Sequence, residues 1–204
     1  MKALNLLVTG VGGQGIILAS NILGEVARLS GYDIKKTDTL GMAQRGGSVI
    51  SHVRIGPQVC SPLIRKGDVD LMLALEKLEG ARWSHYLKMR SVSIINDYPL
   101  PPPSVSLGDA EYPSDDAISA LVRRAGGYVY FIDAARRAAE MGNDRVFNVY
   151  LLGCTSSYIP FRLEVWREAI MRLVPVKVSE LNWLAFREGR KELRAIRKSH
   201  GRIG

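Results

Sequence analysis

The sequence predicts an α/β fold in which helices flank a largely parallel sheet and the C-terminal third of the chain is helical. Segments with the apolar pattern of strands alternate with amphipathic helical segments until the last third, where strands cease. The predicted strands are 3–8, 33–38, 48–55, 69–75, 91–96 and 128–132. Helices are predicted from residue 16, over 115–125 and 134–141, from 142 to about 159, along 163–173, and from 179 to about 199.

A glycine-rich loop follows the first predicted strand and precedes the first predicted helix. It reads Gly10-Val11-Gly12-Gly13-Gln14-Gly15, and its first, third and last residues have the spacing of a dinucleotide-binding loop. The free N–H groups and the positive dipole end of the following helix favour an anion such as phosphate. The loop therefore predicts a Rossmann-like arrangement, although the glycines could also serve only to make the turn.

A second glycine-rich loop, Gly41 to Ser48, follows the next predicted strand. It holds Gln44 and Arg45 between glycines, and the arginine fork suits a carboxylate or a phosphate. The flanking glycines allow another backbone, of a ligand or of a subunit, to come close. The alternative is a surface loop with one solvated arginine.

Few side chains suggest catalysis. His52 lies on a strand with no patterned acid or thiol beside it, which favours a packed sheet residue over a catalytic base. Cys60 and Cys154 lie far apart without a CxxC pair, so this chain alone builds neither a zinc site nor an iron–sulfur cluster. We expect each to be a free thiol, buried or half-buried. Glu76 stands at the end of a predicted strand, where such sheets bind ligands.

Composition indicates a globular protein of the cytoplasm. Hydrophobic residues make up 47% of the chain and charged residues 24%, and no apolar run approaches the roughly 20 residues of a membrane span. Much of the net charge of +8 lies in residues 187–202. This basic segment could be a solvated helix end, a contact for an acidic partner or a phosphate-binding arm. Few aromatic residues interleave with these charges, which argues against nucleic acid.

Domain organisation is predicted to be simple. Residues 1–175 form the α/β domain, and 176–204 form a C-terminal helix with a basic tail. The proline-rich segment 99–113 is an excursion within the domain, because strand and helix patterns resume after it.

The two loops together carry a resemblance to a known family. The chain resembles the gamma-type subunits of the 2-oxoacid:ferredoxin oxidoreductases, and within that family the beta subunits of the indolepyruvate enzymes. The matching segments are Gly10–Gly15 with Leu18-Ala19-Ser20, Gly41–Val49, Ser51–Arg54, Ser61–Ile64, Leu75-Glu76 with Leu78-Glu79, and Gly142-Asn143 with Arg145, Asn148, Leu152 and Gly153. Lys77 stands where the resemblance implies a proline.

The resemblance implies a ferredoxin-dependent oxidative decarboxylation of arylpyruvates to acyl-coenzyme A. It implies that thiamine diphosphate and 4Fe-4S clusters are bound by a larger alpha subunit, and that ferredoxin interacts with the assembled complex. This chain is then expected to bind none of these cofactors alone and to have no catalytic residue. It implies an anion site, for coenzyme A, or a subunit interface formed by Gly12, Gly13, Gln14, Gly15, Gln44, Arg45 and Ser48. Whether the isolated chain dimerises is left open.

A second hypothesis is a free-standing NAD(P)-dependent oxidoreductase. Asp38 lies at about the right distance after the glycine loop to meet a ribose hydroxyl. The candidate bases would be His52 and His85. Against this, the strand that carries Asp38 is polar and lacks the character of a central parallel strand.

Overall fold

The computed structural model of the chain describes residues 3–40, 46–125 and 127–200. Its strands are β1 (Leu4–Val11), β2 (Asp33–Leu40), β3 (Ser48–Gly56), β4 (Val69–Ala74), β5 (Leu87–Asn96) and β6 (Tyr128–Ile132). Its α-helices are α1 (Ile16–Leu29), α2 (Lys77–Arg82), α3 (Pro103–Ser106), α4 (Asp115–Arg124), α5 (Ala134–Glu140), α6 (Phe147–Thr155), α7 (Leu163–Leu173) and α8 (Val176–His200).

The six strands form one sheet in the order β2-β3-β1-β4-β5-β6. Strands β1, β4, β5 and β6 run parallel to one another, while β3 runs antiparallel to both β1 and β2. The predicted α/β fold with a largely parallel sheet is therefore confirmed. The antiparallel pair at one edge is an addition to the prediction, and it places the polar strand β2 at the edge of the sheet.

The core has two layers because successive side chains of a strand point to opposite faces of the sheet. In β1, Leu6 and Val8 pack with α1, α6, α7 and α8, whereas Leu7 packs on the opposite face with α2 and α4. The face that carries α1 and α6 holds the larger cluster, which includes Trp166 and Phe186. Helices thus flank the sheet on both sides, as predicted.

The C-terminal third is helical, as the sequence predicts, with different boundaries. The helix expected from 142 to about 159 is divided into a 3₁₀ turn at Asp144–Val146, helix α6, and a second 3₁₀ turn at Ser156–Tyr158. Helix α8 begins three residues earlier than expected, at Val176. Among the described residues, no helix is long and apolar enough to cross a membrane.

Candidate functional site

The carboxyl edge of the sheet brings the two glycine-rich segments together. The parallel strands β1, β4, β5 and β6 all end at this edge. Because β3 is antiparallel to β1, its first residue Ser48 pairs with Val11, the last residue of β1. The loops after β1 and before β3 are therefore neighbours, at the edge where open α/β sheets bind ligands.

The first glycine loop is a tight turn that ends at the N-terminus of α1. Gln14 folds back, so that its Oε1 accepts a hydrogen bond of 2.8 Å from the Val11 N–H. Gly13 and Gly15 have φ angles of +102° and +88°, which favour glycine. Gly15 is the N-cap of α1 and no side chain caps the helix, so the first turn leaves N–H groups for an external acceptor.

Asn148, at the start of α6, supports this turn from behind. Its Nδ2 donates to the Gln14 carbonyl oxygen at 3.3 Å. A Cβ added at Gly15 would overlap with the same Nδ2, whereas one at Gly13 would meet nothing within 4 Å. A side chain at Gly15 would therefore displace the Asn148 amide and its hydrogen bond to Gln14, whereas Gly13 borders open space.

The two loops touch through their backbones. The Gly12 N–H donates to the Gly47 carbonyl oxygen at 2.8 Å. Among the residues predicted for the facing loop, Ser48 lies at this contact, and Gln44 and Arg45 lie outside the described residues. Ser48 thus lies beside the first loop, and the ligand expected for these residues stays a prediction.

Glu79 fixes Ser48 from the other side. The Ser48 hydroxyl donates to Glu79 Oε2, and Trp83 Nε1 donates to both groups at 3.2 Å. Glu79 is only 4% exposed and pairs with Arg82 at 2.9 Å. Burial is the main effect on its carboxyl and raises the pKa, while the Ser48 hydrogen bond and Arg82 oppose that change. In the sequence Glu79 is marked only by the resemblance, and the fold shows its contact with Ser48.

Glu76 is a buried structural residue and does not line an open ligand site. It is 1% exposed and caps α2 by accepting from the Glu79 N–H at 2.8 Å. Its other oxygen accepts from the Leu100 N–H at 3.2 Å and from the Tyr112 hydroxyl at 2.5 Å. Both donors belong to the excursion after β5, so Glu76 holds that segment in place.

A cleft of about 560 Å³ opens beside Gln14, between the ends of β5 and β6 and helix α5. Asp97, Asp133 and Asp144 line it. Its one cation among the described residues, Arg136, pairs with Asp133 at 2.8 Å and with Glu140 at 3.2 Å. The cleft thus lacks an unpaired cation for a phosphate, and the loop backbone is the better anion site.

Other candidates from the sequence have structural roles. His52 is buried, accepts from the Ile64 N–H through Nδ1 at 3.3 Å and packs edge-on against Tyr86, as expected of a sheet residue. Burial lowers the pKa of its imidazole. Cys154 is buried as predicted, but the expectation of a buried or half-buried thiol is wrong for Cys60, which is exposed in the loop after β3.

Asp38 does not meet the first glycine loop. Strand β3 separates β2 from β1, so Asp38 lies two strands, about 10 Å, away from β1. Its carboxylate accepts from Ser51 Oγ at 2.6 Å and from Lys36 Nζ at 2.7 Å. The nicotinamide hypothesis, which requires Asp38 beside the loop, is therefore not favoured.

Comparison with known proteins gives one consistent result. The sequence model of the family described as pyruvate ferredoxin/flavodoxin oxidoreductase matches residues 5–192. The indolepyruvate oxidoreductase subunit IorB of Thermococcus kodakarensis is 40% identical over 194 residues, which cover 94% of this chain and 96% of that protein. The subunit of the same name from Pyrococcus horikoshii is 39% identical, with the same coverage.

The fold has a counterpart among solved structures. The gamma subunit of keto/oxoacid ferredoxin oxidoreductase from Geobacter sulfurreducens PCA superposes with a TM-score of 0.70 at 24% identity. The superposition covers 94% of this chain and 99% of that one. At this identity the likeness concerns the fold.

Proposed function

The chain belongs to the pyruvate ferredoxin/flavodoxin oxidoreductase family, as a small subunit of a 2-oxoacid:ferredoxin oxidoreductase, and we propose that its enzyme acts on indolepyruvate and other arylpyruvates. The names of the two relatives at 39–40% identity support this substrate class. In the proposed reaction, the arylpyruvate loses carbon dioxide, two electrons pass to ferredoxin, and the acyl group is joined to coenzyme A.

The iron–sulfur clusters and thiamine diphosphate are assigned to a larger partner subunit. A cluster needs several thiolates, whereas this chain has one exposed and one buried cysteine. Among the described residues, no group of three His, Cys, Asp or Glu side chains is arranged to hold a metal ion. The two cysteines of this chain therefore do not fit a cluster.

One contact carries the proposal for the site: the hydrogen bond from Gly12 to Gly47, which joins the two glycine loops. It makes one backbone surface at the carboxyl edge of the sheet, with the free N–H groups of α1 at its border. We assign this surface, with Gly12, Gly13, Gln14, Gly15, Gln44, Arg45 and Ser48, to an anion of coenzyme A or to the partner subunit. Both need close backbone approach.

The first experiment is purification of this chain at native abundance, with iron and thiamine diphosphate assayed in its peak. We expect a larger chain that carries both, and ferredoxin reduction that is faster with indolepyruvate than with pyruvate or 2-oxoglutarate. Turnover by this chain alone would overturn the subunit assignment. A complex that prefers 2-oxoglutarate would overturn only the substrate class.

A second experiment separates the two assignments of the loop surface. Ser48→Ala in the assembled enzyme removes the hydroxyl that joins Ser48, beside the loop contact, to Glu79 and Trp83, and it adds no bulk. A higher KM for coenzyme A with intact assembly indicates the anion site, whereas weaker assembly with an unchanged KM indicates the interface. If neither quantity changes, Ser48 does not belong to the surface.

A further inference from the structure

The last helix carries a basic groove that the proposed reaction does not use. Helix α8 and the start of α7 enclose a volume of about 440 Å³. Of the described residues that line it, Glu188 is the single carboxylate and five are cations: Arg187, Arg190, Lys191, Arg194 and Lys198. Leu163 and Ala195 contribute apolar contacts. We call this feature the α8 groove.

Most of the charge of the α8 groove is not neutralised within the described part of the chain. Lys191 pairs with Glu188 at 3.4 Å. Arg187, Arg194 and Lys198 are exposed and form no ion pair with any described residue. Like charges gathered in this way repel one another, and a bound anion would relieve the repulsion.

Arg190 also lines the groove and forms no ion pair with any described residue. Its Nη1 donates to the carbonyl oxygen and the hydroxyl of Ser156, both at 2.6 Å, which fixes the guanidinium. Its Nε is buried and has no hydrogen-bond partner in the part of the chain that the structure describes. Burial and, after it, the neighbouring Arg194 lower the pKa of Arg190. Arg190 is therefore a fixed cation beside an uncompensated Arg194, and it adds to the positive charge of the groove.

We propose that the α8 groove binds an acidic segment of a partner protein. From 187 to 198 the cations follow one side of three helical turns, about 17 Å, which matches a short carboxylate-rich segment. The apolar floor suits the stems of protein side chains. A nucleic acid is disfavoured because none of the described residues that line the groove is aromatic, so no side chain there can stack on a base. The proposal does not depend on which 2-oxoacid the enzyme uses.

The test measures binding of a labelled 20-residue poly-L-glutamate to the full chain by fluorescence anisotropy. The variant Arg187→Glu/Arg194→Glu/Lys198→Glu reverses three exposed charges in the groove. The control Arg65→Glu/Lys66→Glu/Arg124→Glu makes the same change in net charge at exposed residues elsewhere. We expect saturable binding that the groove variant weakens by about tenfold or more and that rising salt suppresses, since exposed charges are screened.

Two outcomes would overturn the proposal. One is equal weakening by the groove variant and the control, which would mean attraction by net charge alone. The other is tighter binding of a 20-nucleotide oligo-dT than of poly-L-glutamate, which would assign the groove to nucleic acid. Circular dichroism of all variants checks that they are folded, so lost binding is attributable to the groove.

Discussion

Two features favour glycine at position 15: the backbone conformation and the nearby Asn148 side chain. Its φ of +88° is unfavourable for other residues, and a Cβ would overlap with Asn148 Nδ2. We expect Gly15→Ala to lower the free energy of unfolding by about 2–3 kcal/mol, measured by urea denaturation. Gly31→Ala is the control, because its φ is +77° but its Cβ would meet nothing within 4 Å. Equal losses in both variants would show that the contact with Asn148 does not matter.

Glu79 links stability to pH. Since burial raises its pKa, the folded chain retains a proton that the unfolded chain loses above the ordinary value of 4.5. The stabilisation by this group is therefore complete below pH 4.5 and is lost as the pH rises through the folded pKa. Glu79→Gln stays neutral, so its free energy of unfolding should improve relative to the wild type as the pH rises across that window.

Urea unfolding between pH 4 and 8 measures this change for Glu79→Gln. Glu111→Gln, which removes an exposed carboxylate, is the control, and its free energy of unfolding should vary with pH in parallel with that of the wild type. A Glu79→Gln curve that also runs parallel would contradict the prediction. The sequence could not indicate the burial of Glu79, because that burial depends on β3 bringing Ser48 across the sheet edge.

At the scale of elements, the excursion after β5 is held at its base by two adjacent residues. Glu76 accepts from Leu100 and Tyr112 inside the excursion. Lys77 is 6% exposed and pairs with Asp97 at 3.6 Å and with Asp115, one at each end of the excursion. A segment rich in proline and without a core of its own thus gains a fixed position from one carboxylate and one ammonium group.

Lys77→Met should loosen this excursion while keeping the packing of the side-chain stem. Because both acidic partners are well exposed, each pair is worth at most about 1 kcal/mol. We therefore expect amide hydrogen exchange in 98–114 to rise by roughly three- to tenfold, measured by mass spectrometry. Lys88→Met, which removes the pair with Asp70 at the start of β5, should leave that exchange unchanged. Unchanged exchange in Lys77→Met would mean that Glu76 alone suffices.

The elements show how far the sequence could predict the fold. Strands, glycine turns and most helices could be predicted because they depend on residues that are close together in the sequence. The order of the strands does not, because the antiparallel pairing of β3 with β1 and β2 depends on contacts between distant residues. The polar character of 33–38 did indicate that it is no central strand, and its edge position agrees with this.

At the scale of the whole molecule, α8 packs into the main core. Phe186 stacks on Trp183 and packs against Trp166, and Leu193 is fully buried in the same cluster as Leu6 of β1. The division at residue 175 stays a prediction from the sequence. With this packing, we expect tryptophan fluorescence and far-ultraviolet circular dichroism to report one coincident urea transition. Separate transitions would show that residues 176–204 unfold independently.

Two glycines permit the close crossing of α6 and α8. A Cβ at Gly153 would overlap with the Phe186 carbonyl oxygen, and one at Gly189 would overlap with the Tyr150 carbonyl oxygen. Backbone cannot move aside as a side chain can, so an added methyl group must push the helices apart and open the core around Phe186.

Gly189→Ala should therefore lower the free energy of unfolding by about 2–4 kcal/mol, even though alanine is the better helix former by about 1 kcal/mol. Gly24→Ala in α1 is the matched control, since its Cβ would lie 2.9 Å from the flexible end of Ile34. There the helix preference offsets the mild contact, and we expect a change within about 1 kcal/mol. If urea denaturation shows similar small effects for both variants, the helices can separate without cost, and the crossing does not couple α8 to the rest of the fold.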